Sequence, residues 1–166
     1  MNNLIKHFLA TSLLLISSVV VAQKNDAIIQ TAQVQEAIAR GAIIWDVRDE
    51  KSYLEGHIPG AINIGDAGNI LRDANKEDYI ATAKIQAIFN QAGLDVNKDV
   101  VVYGSRGNPY AYFGLYTINY FGGKQAQIYH DGIDAWKSAG LPLQKDRAIL
   151  PAVSVEIGRA HVWTPV

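Results

Sequence analysis

VVVYGSRGNPY, residues 100–110, carries the most informative structural pattern in this chain of 166 residues. Four apolar or aromatic residues, typical of a buried strand, run into a short loop with two glycines. Gly104 and Gly107 permit backbone dihedral angles that are closed to other residues. Asn108 can cap a helix by accepting a backbone N–H, and Pro109 suits the first helical position. The pattern predicts a strand, a tight loop and a helix N-terminus in succession.

The loop is a candidate anion site. Successive backbone N–H groups that face a helix N-terminus bind anions, and Arg106 can add a cationic contact. The predicted anion-binding loop consists of Gly104, Ser105, Arg106, Gly107 and Asn108. The alternative is a tight connection without a ligand, and both interpretations stay open at this stage. The spacing fits neither the G-x-x-x-x-G-K-[ST] phosphate loop nor the G-x-G-x-x-G dinucleotide fingerprint.

Strands and helices alternate along the rest of the chain. The predicted strands are residues 28–30, 42–46, 61–64, 100–103 and 127–130. The predicted helices are residues 31–39, 50–55, 82–92, 109–121 and 131–139, with a helical turn at 75–80. Strands that alternate with crossover helices favour an α/β fold. We predict a mainly parallel five-stranded sheet with helices on both faces.

Further motifs flank this loop. Residues 46–48 read DVR, residues 53–64 read YLEGHIPGAINI, and residues 131–136 read DGIDAW. Together with the loop, these motifs resemble those of the rhodanese (sulfurtransferase) family. The last of them resembles the family's closing Gly-Gly…Trp motif, with Ile133 in place of the second glycine. The resemblance covers about residues 28–143 and implies the rhodanese-like strand order. Structural roles are implied for Asp46, Arg48, Tyr53, His57, Pro59, Gly60, Asp131, Gly132 and Trp136.

The resemblance also implies that the nucleophile is missing. In that family the first residue of the loop is the cysteine that carries sulfane sulfur as a persulfide. Gly104 takes that place here, and the chain has no cysteine at all. Ser105 lies one position late, and no neighbouring base is evident that could activate its hydroxyl. We therefore predict no catalytic residue in this chain, and a sulfurtransferase activity that belongs to the parent protein.

Two functional hypotheses follow from the resemblance. In the first, the chain is the non-catalytic N-terminal part of a periplasmic thiosulfate sulfurtransferase, truncated here, whose cysteine lies in a second rhodanese domain. In the second, it is a stand-alone secreted module that binds an oxyanion such as thiosulfate, or a protein partner. An active enzyme with a different nucleophile is the least favoured alternative.

Cofactors and nucleic acids are not expected as ligands. The net charge of −1 with mixed signs gives no electrostatic footprint for nucleic acid. Zinc is improbable because the predicted domain has only His57 and His130 as imidazole ligands and no thiolate. We predict no cofactor and no metal.

Both termini are predicted to lie outside the domain. Residues 1–22 have the pattern of a signal peptide cleaved after Ala22, which predicts a periplasmic or secreted protein without membrane contact after cleavage. Residues 23–147 are the predicted domain, and 148–155 begin a linker. One back-translation of residues 156–166, EIGRAHVWTPV, resembles a sequencing adapter in which TGA is read as tryptophan. We interpret them as an artefact and expect them to be disordered or to lie loosely on the surface.

Overall fold

A parallel sheet lies at the centre of the computed structural model, which describes residues 26–75, 78–123 and 126–158. The helices are α1 Thr31–Ala39, α2 Glu50–Glu55, α3 Ala67–Ile70, α4 Thr82–Ala92, α5 Pro109–Tyr120 and α6 Gly132–Ser138. The strands are β1 Ile43–Asp46, β2 Ile62–Asn63, β3 Arg72–Asp73, β4 Asp78–Tyr79, β5 Val100–Tyr103 and β6 Ala126–Tyr129. The sheet order is β2-β1-β5-β6, and all three of its pairings are parallel.

Helices cover both faces of the sheet, as predicted. Side chains along a strand alternate between faces, so the four buried residues of β5 supply two separate cores. Val100 and Val102 belong to a core that α4 and α5 complete. Val101 and Tyr103 belong to a second core with residues of α1 and α6. This two-sided burial explains why β1 and β5 are almost continuously apolar.

Two sequence-based predictions about strands were wrong. The fifth strand, residues 28–30, is only an isolated parallel bridge between Ile28 and Ile128, because α1 begins immediately after it. Within the predicted helical turn at 75–80, Asp78 and Tyr79 instead form β4, which pairs antiparallel with β3, while residues 76 and 77 lie outside the described residues. Tyr79 explains the difference, since its ring stacks on Phe113 and Tyr120 at centroid distances of 5.4 and 5.2 Å. That contact holds the segment extended against α5.

The segment after α6 lies against the domain. Ala148 N–H donates to the hydroxyl of Tyr53 at 2.9 Å, and the side-chain amide of Asn90 bonds to both backbone groups of Val155. Ile157 is 7% exposed and belongs to the core beneath α4 and α5. The expectation that residues 156–166 are disordered or lie loosely on the surface is therefore wrong for Ile157, because hydrogen bonds from Asn90 and Gln86 of α4 to this segment hold the side chain in the core.

The predicted domain boundaries and the adapter origin of the tail stay predictions. The predicted signal peptide and residues 159–166 lie outside the described residues. Within the three described ranges, no helix has the length and apolar character needed to cross a bilayer.

Candidate functional site

The loop lies between β5 and α5, at the carboxyl edge of the parallel sheet, where open α/β sheets commonly bind ligands. The predicted helix start is confirmed: the Asn108 side chain accepts the N–H of Tyr110 at 2.8 Å, and Pro109 follows the cap. Gly107 has a φ of +68°, which favours glycine. Gly104 is not among the glycines with positive φ, so its place in the loop has another reason.

That reason is the side chain of Asn108. A Cβ atom at position 104 would lie 2.8 Å from Nδ2 of Asn108 and 2.9 Å from its Cβ and Cγ atoms. Asn108 therefore occupies the space in which a side chain at position 104 would begin. The helix cap fills the place that the resemblance assigns to the nucleophile.

Three consecutive N–H groups of the loop already have acceptors inside the protein. Arg106 N–H donates to a carboxylate oxygen of Asp134 at 2.7 Å. Gly107 N–H donates to the carbonyl of His130, and Asn108 N–H donates to the carbonyl of Ser105, both at 3.0 Å. These three groups are among the donors that an anion cradle would offer, and each of them is engaged in this structure.

The side chains at the loop surface are also paired. Nε of Arg106 lies 3.3 Å from a carboxylate oxygen of Asp131, so its charge is directed towards α6. The hydroxyl of Tyr112 and Nδ1 of His130 share a hydrogen bond of 2.6 Å. Among the described residues, no carboxylate or imidazole is hydrogen-bonded to the Ser105 hydroxyl, so nothing there activates it as a nucleophile.

The start of α6 packs directly on the loop. Ile133 N–H donates to the carbonyl of Gly104 at 2.9 Å. Gly132 has a φ of +53°, and a Cβ atom there would lie 2.1 Å from the same carbonyl oxygen. The glycine that this approach requires is therefore Gly132, whereas Ile133 is buried in the second core.

The DVR motif ties the sheet to the segment before β2. The guanidinium of Arg48 donates to both carboxylate oxygens of Asp46 and, at 2.9 Å, to the carbonyl of Gly56. Ile58 N–H donates to the hydroxyl of Tyr103 at 3.0 Å. Burial raises the pKa of Tyr103 well above its ordinary value, so the phenol stays neutral. These hydrogen bonds join β1 and β5 to the segment before β2 and maintain the architecture.

His57 is a buried, stacked residue. Its ring lies on that of Tyr53 with 3.7 Å between the centroids, and Nδ1 bonds to the carbonyl of Tyr53 at 2.9 Å. Nε2 has no hydrogen-bond partner among the described residues. Burial lowers the pKa of His57. No group of three or more potential metal ligands occurs in residues 26–75, 78–123 and 126–158.

The remaining motif residues lie near the last loop of the domain. Gly60 N–H donates to the side chain of Gln144, whose backbone also pairs with His57. Pro59 lies in the turn just before Gly60. The indole N–H of Trp136 donates to the carbonyl of Pro142 at 2.8 Å. These contacts close the C-terminal part of the domain over the segment before β2.

A cavity of about 190 Å³ adjoins the loop. It is lined by Val47, Arg48, Asp49, Ser52, Asp66, Ser105, Asn108 and Tyr110. Asp49 and Asp66 cap α2 and α3, and the one cation in the lining is already paired with Asp46. The lining therefore has an excess of negative charge. Sequence reasoning missed both aspartates as part of the site, although an aspartate that immediately precedes a predicted helix indicates a cap.

Known proteins are similar to this chain in sequence and in fold. Residues 30–139 match the rhodanese-like domain family. The thiosulfate sulfurtransferase of Corynebacterium glutamicum is 34% identical over 94 residues, which are 57% of this chain and 31% of that protein. The sulfur carrier protein TtuD of Thermus thermophilus is 28% identical over 105 residues, which are 63% of this chain and 36% of that protein.

A solved structure extends the likeness beyond the aligned sequences. SseA of Escherichia coli, a 3-mercaptopyruvate sulfotransferase, matches with a TM-score of 0.74 at 20% identity, over 81% of this chain and 56% of that one. The chain spans about a third of the length of the curated relatives it matches. Since the family match covers well over half of the residues and agrees with the sheet order and the loop position, this chain belongs to the rhodanese-like domain family.

Proposed function

We propose that this chain is the non-catalytic rhodanese-like part of an exported thiosulfate sulfurtransferase whose cysteine lies elsewhere in the native protein. The observation that carries the proposal is the Gly104 loop: the domain is retained, but the space for a side chain at position 104 is filled by Asn108. Relatives that are thiosulfate sulfurtransferases, and the one-third coverage of their length, support the same interpretation.

Sulfane-sulfur transfer needs a thiolate. The thiolate attacks the outer sulfur of thiosulfate, sulfite leaves with the electron pair of the broken S–S bond, and a persulfide remains on the protein. The sequence supplies no thiol. The Ser105 hydroxyl has no base beside it and cannot take the same role.

The test is thiocyanate production from thiosulfate and cyanide by the purified chain. We expect no thiocyanate above a heat-denatured control. Activity above that control would contradict the proposal. The nucleotide sequence of the gene beyond the codon for residue 155 gives a second test, since the proposal requires a further rhodanese domain with a cysteine in its loop.

The alternative is a stand-alone secreted module that binds an oxyanion or a protein partner. The loop position at the carboxyl edge of the sheet favours a ligand there. The engaged N–H groups and the acidic cavity weigh against an oxyanion. A stop codon soon after residue 155 in the assembled gene would favour this module over the tandem protein.

A further inference from the structure

We propose that Asp134 is the specificity-determining residue of the loop: its carboxylate is the internal anion that the loop binds, and it excludes external oxyanions. The inference rests on the proposed non-catalytic function and deepens it. It gives a reason, independent of the missing thiol, why this site would bind no thiosulfate.

The contact between Asp134 and the loop is short and charge-assisted. Arg106 N–H lies 2.7 Å from Oδ2 of Asp134, which is the range of a hydrogen bond to an ionised acceptor. It is the shortest of the hydrogen bonds that the loop's three engaged N–H groups donate, the other two being 3.0 Å. A carboxylate and the oxygens of a bound oxyanion are equivalent acceptors for such a donor, so one displaces the other.

The backbone holds this carboxylate in place. Asp134 lies in the first turn of α6, and the helix start is docked on the loop through the bond from Ile133 N–H to the Gly104 carbonyl. The absence of a side chain at Gly132 permits that close approach. The Asp134 carboxylate is therefore positioned by the fold itself.

The charges around the loop also disfavour the binding of an external oxyanion. Arg106 faces two carboxylates, from Asp131 through its side chain and from Asp134 through its N–H. The adjoining cavity adds the carboxylates of Asp49 and Asp66. An incoming dianion such as thiosulfate meets a surface with more negative than positive charge, and it must also displace an acceptor already in place.

The experiment is a titration with sodium thiosulfate at constant ionic strength, followed by the amide shifts of residues 104–108 in NMR spectra. We expect no saturable shift for the wild-type chain. Asp134→Ala, which removes the charge and frees the Arg106 N–H, should bind thiosulfate at least about tenfold more tightly, as the loss of one charge-assisted competitor implies. Glu36→Gln, which removes one negative charge from the exposed surface of α1, should behave like the wild type.

Three results would overturn the inference: saturable binding at these amides in the wild type, no gain in Asp134→Ala, or an equal gain in Glu36→Gln. If Asp134→Ala does not fold, Asp134→Asn removes the charge but retains an acceptor, and any saturable gain over the wild type supports the inference while its absence refutes it. Saturable binding of thiosulfate by the wild-type chain without thiocyanate production would refute this inference and leave the proposed function intact. Thiocyanate production would refute the proposed function.

Discussion

Replacement of Gly104 by alanine should destabilise the protein through one identifiable contact. The added methyl group would lie 2.8–2.9 Å from three side-chain atoms of Asn108, closer than real Cβ atoms approach their neighbours. Gly104 does not have a positive φ, so the backbone itself accommodates alanine. The cost of the substitution therefore arises from the displacement of Asn108.

The magnitude follows from what Asn108 does. Displacing it breaks the cap on α5, which costs about 1 kcal/mol, and crowding in a packed site costs roughly another 1–3 kcal/mol. Alanine recovers about 0.4–1 kcal/mol by restricting the unfolded chain. We expect Gly104→Ala to lower the free energy of unfolding by about 2 kcal/mol, as these terms together imply.

A double-mutant cycle isolates the contact. Asn108→Gly removes the obstructing atoms, and a glycine at the cap position costs only a few tenths of a kcal/mol. In that background Gly104→Ala should be neutral or stabilising by about 0.5 kcal/mol. Urea denaturation of the four proteins, followed by tryptophan fluorescence, gives the coupling energy. A coupling below about 0.5 kcal/mol would refute the reasoning, since it is indistinguishable from additivity.

Other substitutions test the packing and the buried histidine. Ile157→Ala should cost about 2 kcal/mol in urea denaturation, whereas Ile149→Ala, at 85% exposure, should change stability by less than about 0.5 kcal/mol; equal effects would contradict the packing of the C-terminal segment. Gly132→Ala should cost at least about 1 kcal/mol more than Gly140→Ala, because both have positive φ but only the first meets a carbonyl oxygen. Burial lowers the pKa of His57 in the folded protein. The neutral His57 side chain should therefore contribute its full stability above about pH 6.5, the ordinary value, and this contribution should be lost as the pH falls through the lower pKa of the folded state. His57→Gln should flatten that part of the stability curve, and an unchanged slope would show that other groups cause it.

Local patterns were sufficient for the elements that local forces determine. Residues 100–103 and 109–121 were predicted within one residue of β5 and α5, because an apolar run and a capping asparagine act over a few positions. The α1, α2 and α4 segments followed from similar patterns. The pairing of β3 with β4 could not be predicted in this way, since the rings that hold Tyr79 belong to a helix far along the chain.

In the candidate site, too, local sequence determines some features and the fold determines others. The position of the loop and the cap of α5 follow from residues 104–109 alone. The bond from Arg106 N–H to Asp134 and the contact between Gly132 and the Gly104 carbonyl join segments that only the fold brings together. A sequence pattern therefore indicated where an anion could bind, but it contained no information on which acceptor occupies the donors.

The bonds of Arg48 to Asp46 and Gly56, and of Tyr103 to Ile58, have an evolutionary consequence. They brace the strands without involving any residue from 104 to 108. The bonds that hold the sheet together therefore do not depend on the residues of the loop. A rhodanese-like domain can lose its sulfur-bearing residue by one substitution and still form the same sheet. A gene copy freed from catalysis in this way retains a folded scaffold on which later selection can act.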